Sequence, residues 1–361
     1  MAGRLRIDAG LGTSGARRPE SPDDPRWLGA AREHGLRDVV RWMATRRPAR
    51  WPKWIQASPS DVSSSPTGLG PWHLGPVTLI NHSTVLLELG GANVLTDPIF
   101  SQRCSPVSVA GPKRCRAPGV ALEDLPRIDL VLLSHDHYDH CDRASLQALG
   151  KAHEPLIVTG AGNARRLKSF GLSRVVELSW WQHVDLLAAE DVEAPKLRGS
   201  EETGSLGPVL SGTEPLGRLT FVPAQHFSGR GAFDRNRTAW GGFVLQSAEG
   251  PVYFAGDTGY SETLFDRLLE LFGPMRLALL PIGAYEPRWF MGPVHMDPAE
   301  ALRAHGQLRS RRSVGMHYGT FQLTDEAVEA PLDELATALR ASSFEPDDFL
   351  APRQFGERLT V

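Results

Sequence analysis

The stretch Ser134-His135-Asp136-His137-Tyr138-Asp139-His140 directly follows the apolar run Leu130-Val131-Leu132-Leu133. The apolar run predicts a buried strand, and its end carries three histidines and two aspartates within six positions. Burying such groups without partners costs roughly 2–7 kcal/mol each, so packing is a poor explanation for them. The pattern is typical of a metal site.

Imidazole nitrogen and carboxylate oxygen suit Zn²⁺ or a neighbouring first-row ion. A loop leaving a rigid strand can direct His135 and His137 to one side, while Asp139 and His140 turn back at the start of a helix predicted over residues 142–149. Two pairs of ligands predict two metals. The other interpretation, a polar loop with chance histidines, is disfavoured by the density of ligands.

The length and composition suit a protein with a sizeable core. A chain of 361 residues with 41% hydrophobic content forms one large domain or two modest ones. No apolar stretch approaches the ~20 residues that span a bilayer, and residues 1–18 lack the apolar centre of a secretory signal, so we expect a cytoplasmic protein. The three cysteines show no CxxC spacing, and Cys141, beside the polar stretch, is interpreted as a small buried thiol.

The net charge of −3 is unevenly distributed along the chain. Residues 1–54 hold twelve Lys and Arg against six Asp and Glu, a balance of +6. Residues 55–361 hold 27 against 36, a balance of −9. A basic N-terminal region on an acidic body favours a local anionic partner and argues against nucleic-acid binding by the whole protein.

Composition divides the chain into three parts. Residues 1–30 are rich in Gly, Arg, Pro and Ser and are predicted to be disordered. Residues 31–72 form a basic, Trp-rich arm and linker, and residues 73–361 form the compact domain, with a surface insertion at about 191–217. Arginine interleaved with tryptophan in the arm suits contact with the inner face of an anionic membrane; the alternative is that these aromatics clamp the arm onto the domain.

Apolar periodicity predicts the elements of the domain. In the arm, Leu36, Val39, Val40 and Met43 are spaced as on one face of a short helix. Within the domain, strand-like runs come first and alternate with helices later, in two similar halves. Two sheets sandwiched between helices fit best, because helices on one side only would leave one sheet face exposed. The fold class is therefore α/β in the mixed α+β sense.

Three more residues that can bind metal follow apolar strands. His226 follows the run that begins at Leu219, Asp257 follows the run that begins at Val252, and His317 follows Val314-Gly315-Met316. Rigid strand ends are where sheets present functional groups. The order HxHxDH, then His, then Asp, then His is highly specific.

This order of residues matches the metallo-β-lactamase fold superfamily. Flanking stretches resemble the N-acyl-phosphatidylethanolamine-hydrolysing phospholipase D family, between about residues 36 and 339, and the resemblance lapses at residues 1–30 and at the insertion. The stretches that carry it include Asn81-His82-Ser83-Thr84, Thr96-Asp97-Pro98-Ile99-Phe100, Gln225-His226-Phe227-Ser228-Gly229-Arg230, Trp240-Gly241-Gly242, Gly256-Asp257-Thr258-Gly259-Tyr260, Ala284-Tyr285-Glu286-Pro287-Arg288 and His317-Tyr318-Gly319-Thr320.

The resemblance implies a four-layer αββα sandwich and two Zn²⁺ per chain, although Fe²⁺ or Mn²⁺ suits the same ligands. It implies that His135, His137 and His226 bind one metal, that Asp139, His140 and His317 bind the other, and that Asp257 bridges them. Two cations about 3.5–4 Å apart can share a hydroxide that attacks phosphorus, with Asp139 orienting it.

Five further residues receive roles around this centre. Asp97 is a candidate carboxylate that holds a ligand imidazole; a turn-forming Asp-Pro is the alternative. The resemblance places His295 near the metals, and we expect it to contact substrate phosphate or to act as a general acid, with a structural role as the alternative. Tyr285 and Arg288 are expected to line the same mouth and bind substrate, and His82 is interpreted as structural.

The preferred functional interpretation is a phospholipase D-type phosphodiesterase. The substrate that the resemblance implies is N-acyl-phosphatidylethanolamine, with phosphatidic acid and N-acylethanolamine as products, and relatives of this type imply a homodimer. One alternative is a lactonase or a nuclease on the same site, although the acidic body disfavours a nuclease. Another is a metal-binding scaffold without turnover, which the complete ligand set disfavours.

Overall fold

The computed structural model describes residues 5–13, 34–56, 74–89, 91–188, 217–231, 233–247 and 249–361. Its strands are β1 (Leu5–Thr13), β2 (Leu74–Asn81), β3 (Thr84–Leu89), β4 (Ala92–Thr96), β5 (Leu130–Leu133), β6 (Leu156–Gly160), β7 (Val175–Leu178), β8 (Gln182–Ala188), β9 (Gly217–Val222), β10 (Gly242–Ser247), β11 (Gly250–Phe254), β12 (Leu277–Pro281), β13 (Arg312–Met316), β14 (Phe349–Leu350) and β15 (Arg358–Leu359). Its helices are α1 (Leu36–Thr45), α2 (Arg143–Ala152), α3 (Ala164–Ser169), α4 (Glu262–Phe272), α5 (Arg288–Met291), α6 (Pro298–Gln307) and α7 (Ala330–Arg340).

The strands form two mixed sheets. One sheet has the order β1-β8-β9-β10-β11-β12-β13-β14, and the other has the order β15-β2-β3-β4-β5-β6-β7. Strands β4 to β7 run parallel in one sheet, and β11 to β14 run parallel in the other. Parallel neighbours require crossover connections, which α-helices supply for every parallel pair except β4 and β5, where a long loop connects the strands.

Alternation along β5 explains how the sheets pack. Leu130 and Leu132 belong to the large core between the sheets, together with Phe221 and Val244 from the opposite sheet. Val131 and Leu133 point the other way, into a second core with the apolar faces of α2 and α3. Helices α4, α6 and α7 contribute to the core on the side of the eight-stranded sheet. The predicted αββα sandwich is confirmed.

The start of α6 shows how sequence fixes a local structure. The Asp297 carboxylate accepts a hydrogen bond from the Glu300 backbone N–H, and the Glu300 carboxylate accepts one from the Asp297 N–H. Pro298 occupies the first turn, where its missing N–H costs nothing. These two reciprocal hydrogen bonds form a capping box.

The N-terminal regions differ in part from the predictions. Residues 1–30 are predicted to be disordered, but residues 5–13 form β1, which pairs antiparallel with β8, so the prediction is wrong for those residues. The rest of that segment, the linker at 57–73 and residues 191–216 of the insertion lie outside the described residues.

Helix α1 packs on the domain. The Trp42 ring stacks on Phe290 with centroids 5.0 Å apart, and the Arg46 guanidinium bonds Asp325 at 3.2 Å. The same helix leaves two apolar side chains in solvent, with Val40 57% and Met43 66% exposed. The clamping alternative is therefore confirmed for α1, while the membrane contact stays a prediction. Within the described ranges, every helix is too short or too polar to cross a bilayer.

Candidate metal centre and substrate cavity

The predicted ligands converge where strands of both sheets end. His135, His137, Asp139 and His140 follow β5 and lead into α2, whereas His226, Asp257 and His317 follow β9, β11 and β13. Because the two sheets pack face to face, their strand ends meet at one edge of the sandwich. The structure brings all seven predicted ligands together there.

The Asp257 carboxylate lies at the centre of the cluster. Its Oδ2 is 3.1 Å from Nε2 of both His140 and His317, 3.8 Å from Nε2 of His226 and 3.9 Å from Nε2 of His135. The other oxygen, Oδ1, is buried and has no hydrogen-bond partner within the described ranges. This position suits a carboxylate shared between two sets of ligands.

The first set of donor atoms comprises three imidazoles. His137 Nδ1 lies 2.8 Å from His135 Nε2 and 3.2 Å from His226 Nε2. Ligands of a tetrahedral ion with bonds of about 2.0–2.1 Å stand about 3.3 Å apart, so these separations suit a metal. His226 Nδ1 lies 3.0 Å from the Val294 carbonyl oxygen, which fixes a proton on Nδ1 and leaves the Nε2 lone pair facing the cluster.

The second set lies on the other side of Asp257. Asp139 Oδ2 is 3.5 Å from His140 Nε2 and 3.4 Å from His317 Nε2. Both Nε2 atoms are buried without hydrogen-bond partners in the described part of the chain. Buried polar groups are otherwise hydrogen-bonded, so these orphaned nitrogens and Asp257 Oδ1 fit a bound cation.

Asp97 supports this second set. It follows β4 with a φ of 31°, and its Oδ1 accepts the Ser134 backbone N–H at 2.8 Å. Its Oδ2 accepts Nδ1–H of His140 at 2.7 Å and the Ser134 hydroxyl at 2.5 Å. The His140 ring is thereby oriented with Nε2 toward the cluster, as predicted for a carboxylate that holds a ligand imidazole. Although burial opposes it, Asp257, Asp139 and Asp97 hold the pKa of His140 well above its usual value.

His82 is the residue that sequence reasoning missed. Its Nε2 lies 3.0 Å from Asp139 Oδ2, and its ring packs on the His317 ring with centroids 4.0 Å apart. Burial, and then His317, lowers the pKa of His82 to about 3, so the ring is neutral and donates Nε2–H to the carboxylate. The signal in the sequence was a histidine in the turn between two buried hairpin strands, and the structure places it against a ligand candidate.

His295 faces the cluster from the loop before α6. Its ring is 5.0 Å from that of His226 and 5.3 Å from that of His317, and its Nδ1 has no partner within the described ranges. Burial lowers the pKa of His295 to about 4, against the opposing effect of Asp257, so the imidazole is neutral at pH 7. The structure places this residue beside the predicted ligands.

Tyr285 and Arg288 do not reach this site. Tyr285 is only 1% exposed, and burial, followed by the nearby Glu334, raises the pKa of its phenol. Arg288 bonds Glu300 at 2.6 Å and donates to the His295 carbonyl oxygen at 2.9 Å, which fixes the loop that carries His295. Neither lines the cavity described next, so the prediction that they line the mouth is corrected.

A cavity of about 410 Å³ runs from the cluster to the arm, and we call it the apolar chamber. Metal-ligand candidates His137, Asp139, His226 and Asp257 form its floor. The rest of its lining is mainly apolar and includes Val39 and Trp42 of α1 together with Phe227, Phe290, Met291, Pro293, Val294 and Leu323. Such a chamber suits a substrate with a long apolar part.

Residues 92–318 match the family described as "Beta-lactamase superfamily domain". The N-acyl-phosphatidylethanolamine-hydrolyzing phospholipase D 1 of Caenorhabditis elegans is 34% identical over 287 residues, 78% of this chain and 74% of that protein. An uncharacterized protein of Mycobacterium tuberculosis is 36% identical over 321 residues, 87% of this chain and 76% of that protein. The isothiocyanate hydrolase from Delia radicum gut bacteria superposes with a TM-score of 0.56 at 24% identity, over 79% of this chain and 99% of that one, and shows the fold alone.

The chain belongs to the beta-lactamase superfamily. With the donor set described above, it is a metal-dependent hydrolase of that superfamily. Within the superfamily, the predicted resemblance to N-acyl-phosphatidylethanolamine-hydrolysing phospholipase D proteins is confirmed.

Proposed function

We propose that the chain is a phosphodiesterase of phospholipase D type that cleaves N-acyl-phosphatidylethanolamine-like lipids to phosphatidic acid and N-acylethanolamine. The observation that carries this proposal is the apolar chamber, which connects the metal-ligand candidates with the amphipathic helix α1. A lactone of a sugar phosphate or a nucleic acid has no use for a long apolar chamber, so the chamber favours a lipid over both alternatives.

We propose that the two sets of donors, with Asp257 between them, hold two divalent cations, and that these are Zn²⁺. The imidazole-rich donor set favours zinc over magnesium or calcium, which prefer oxygen ligands. Cations bound there lower the pKa of a water molecule and neutralise charge on phosphate oxygens.

The chain's own residues would then orient the reactants. The Asp139 carboxylate, held by His82 through Oδ2 at 3.0 Å, would accept a proton from the attacking water. Water adds to phosphorus, the bond from phosphorus to the ethanolamine oxygen breaks, and that oxygen takes up the proton that Asp139 accepted. The neutral His295 donates a hydrogen bond to an oxygen of the phosphate group, a role that its low pKa favours over donation from a charged ring. The apolar lining excludes other water from the site.

An assay on purified, zinc-loaded protein tests the lipid part. We expect release of N-acylethanolamine from N-acyl-phosphatidylethanolamine in vesicles, faster than hydrolysis of bis(p-nitrophenyl) phosphate. Met291→Trp fills the chamber and should reduce lipid turnover about tenfold or more while sparing the soluble diester; Met291→Leu, of similar volume, is the matched control. If soluble and lipid esters are hydrolysed at equal rates, and Met291→Trp does not reduce lipid hydrolysis, the assignment of a lipid substrate is wrong.

We also propose that α1 docks the enzyme on an anionic bilayer. Val40 and Met43 are exposed on a helix that carries Arg37 and Arg41, next to the mouth of the chamber. Apolar side chains bordered by arginines suit the headgroup region of a membrane. Vesicle flotation should show that Met43→Asp weakens binding to phosphatidylserine-containing vesicles severalfold, whereas Ser343→Asp, in the exposed loop after α7, leaves it unchanged. If both variants bind the vesicles equally well, α1 does not dock the enzyme on the bilayer.

A further inference from the structure

A second cavity reaches the cluster and has no residue of α1 in its lining. This open cavity has a volume of about 440 Å³ and includes Cys104, Tyr138 and Arg230 in its lining. It shares five lining residues with the apolar chamber: His137, Asp139, Phe227, Arg235 and Leu323. The two cavities therefore meet at the metal-ligand candidates, and a substrate held there can extend in both directions.

Arg235 is held close to this junction by an aromatic ring. Its guanidinium carbon lies 3.9 Å from the centroid of the Phe227 ring. Phe227 in turn stacks on His226 at 4.7 Å and meets His137 edge-on at 4.6 Å. One aromatic ring thus separates the positive charge from two metal-ligand candidates.

The loop that carries Arg235 is closed by its own hydrogen bonds. The Asn236 backbone N–H donates to the Ser228 carbonyl oxygen at 2.9 Å, and the Ser228 N–H donates to the Asn236 side chain at 3.3 Å. Gly229 has a φ of 148°, and a Cβ atom built on it would lie 3.2 Å from the Arg235 Cα. The missing side chain therefore lets the two segments of the loop approach each other closely. These contacts fix where the Arg235 side chain begins.

Arg235 is solvent-exposed, and no acidic side chain in the described part of the chain forms an ion pair with it. Within the described ranges, its guanidinium has neither an ion pair nor a hydrogen bond, and it packs on the Phe227 ring. Neighbouring groups are otherwise engaged: Arg230 donates to the carbonyl oxygens of Asp136 and Cys141, and Asp234 accepts from the backbone N–H groups of Arg230 and Gly231. The carboxylates that line the two cavities are Asp139 and Asp257, both part of the metal-ligand cluster.

We propose that Arg235 is a specificity-determining residue that binds the anionic phosphate of a phosphodiester at the junction of the two cavities. A guanidinium presents five donors in a planar fork that matches phosphate oxygens. A diester has two substituents, and here one enters the apolar chamber while the other leaves through the open cavity, so its charged centre falls beside Arg235. This inference deepens the proposed function and rests on its assignment of a phosphodiester substrate.

Binding of two small phosphate esters tests this role without requiring turnover. Diethyl phosphate carries a negative charge and triethyl phosphate does not, and both are titrated into zinc-loaded protein with detection by ³¹P NMR. We expect Arg235→Gln to weaken binding of diethyl phosphate about tenfold and to leave triethyl phosphate within about twofold. Arg235→Lys should restore part of the loss, and Arg237→Gln, an exposed residue of the same loop outside both cavities, should behave as wild type.

Steady-state kinetics complete the test. Arg235→Gln should raise KM for bis(p-nitrophenyl) phosphate with little change in kcat, and should spare hydrolysis of the uncharged p-nitrophenyl acetate. Equal losses for charged and neutral ligands, or the same loss in Arg237→Gln, overturn the inference. If lipid turnover fails but diethyl phosphate binding still depends on Arg235, the inference stands and the lipid assignment falls. If lipid is cleaved and Arg235→Gln binds diethyl phosphate as wild type does, the inference alone falls.

Discussion

Asp97 is a single carboxylate that accepts three hydrogen bonds, from the Ser134 N–H, the Ser134 hydroxyl and His140. Asp97→Asn would offer an N–H where His140 needs an acceptor, and the ring would lose its fixed orientation. Loss of such a partner weakens metal binding by about 10–100-fold. We expect less than the wild-type metal content after dialysis, measured by mass spectrometry of the ions. Asp185→Asn, which loosens a surface ion pair with Arg218, is the control, and equal metal content in both variants contradicts this role.

His82 positions Asp139 rather than a ligand imidazole. His82→Ala removes the donor that holds Asp139 Oδ2 and leaves a void beneath the His317 ring. We expect kcat on a soluble diester to fall by about 10-fold or more, and His82→Gln, which keeps an N–H donor, to recover part of it. His153→Ala, at the end of α2, is the control. If kcat falls equally in both His82 variants, and a lower melting temperature accounts for the fall, the role of His82 is structural.

The limits of prediction are clearest for individual side chains. The seven ligand candidates were predictable because each follows an apolar strand, and strand ends are rigid and share one edge of the sandwich. The role of His82 was not predictable. It depends on a φ of 48° at His82 and on the hydrogen bond from the His317 backbone N–H to the His82 carbonyl oxygen, which joins two segments that are distant in the sequence. Tyr285 and Arg288 also follow a strand, but Ala284, with a φ of 62°, faces the chamber in their place.

One carboxylate of the domain makes two contacts with the arm. Asp325 accepts from the Arg46 side chain at 3.2 Å and from the Arg47 backbone N–H at 2.7 Å. Asp325→Ala removes both contacts, and partly exposed contacts of this kind are worth about 0.2–1 kcal/mol each. We therefore expect faster hydrogen exchange across residues 46–56 with little change in the core. Asp333→Ala, which breaks the exposed pair with Arg353, should leave exchange in the arm unchanged; protection of residues 46–56 in Asp325→Ala like that of wild type contradicts this attachment.

Elements were predictable where the apolar pattern was strong. Strand β5 has the predicted bounds, and α6 begins at its capping box. Strand β1 was not predictable, because glycines and charged residues dominate its surroundings and its place in the sheet comes from backbone pairing with β8. Edge strands need few apolar residues, since one side of the backbone remains unpaired.

Helix α6 carries a buried histidine that should make stability depend on pH. His305 bonds the Ser313 hydroxyl at 2.8 Å and packs edge-on to Phe344, and burial lowers the pKa of its imidazole. A lowered pKa means that the unfolded chain binds more protons, so the stabilisation is present above about pH 6.5 and is lost as the pH falls toward the folded pKa. The slope in that window is at most about 1.4 kcal/mol per pH unit.

Urea unfolding of wild type and His305→Gln at pH 7.5, 6.5 and 5.5, in the same metal state, isolates this effect because other titrating groups are shared. Wild type should be more stable at pH 7.5, and its advantage should shrink at pH 5.5. A constant difference across this range would mean that His305 does not titrate between the two states.

At the scale of the whole molecule, the metal-ligand candidates join the two sheets. His135 to His140 extend from the seven-stranded sheet, whereas His226, Asp257 and His317 extend from the eight-stranded one. A bound cation would therefore cross-link the halves of the sandwich at an edge where buried His140 Nε2, His317 Nε2 and Asp257 Oδ1 have no hydrogen-bond partners within the described ranges. Metal binding and global stability should be coupled.

Removal of metal tests this coupling. An ion that binds only the folded state stabilises it by RT ln(1 + [L]/Kd), about 2.7 kcal/mol when the ion is at 100 times its Kd. Chelation should lower the melting temperature, and titration with Zn²⁺ should restore it with an end point of two ions per chain. In Asp257→Asn, which weakens the shared ligand, chelator and Zn²⁺ should change the melting temperature less than in wild type. Asp185→Asn should show the wild-type change. If neither chelator nor zinc changes the melting temperature, metal binding at the cluster does not stabilise the packing of the two sheets.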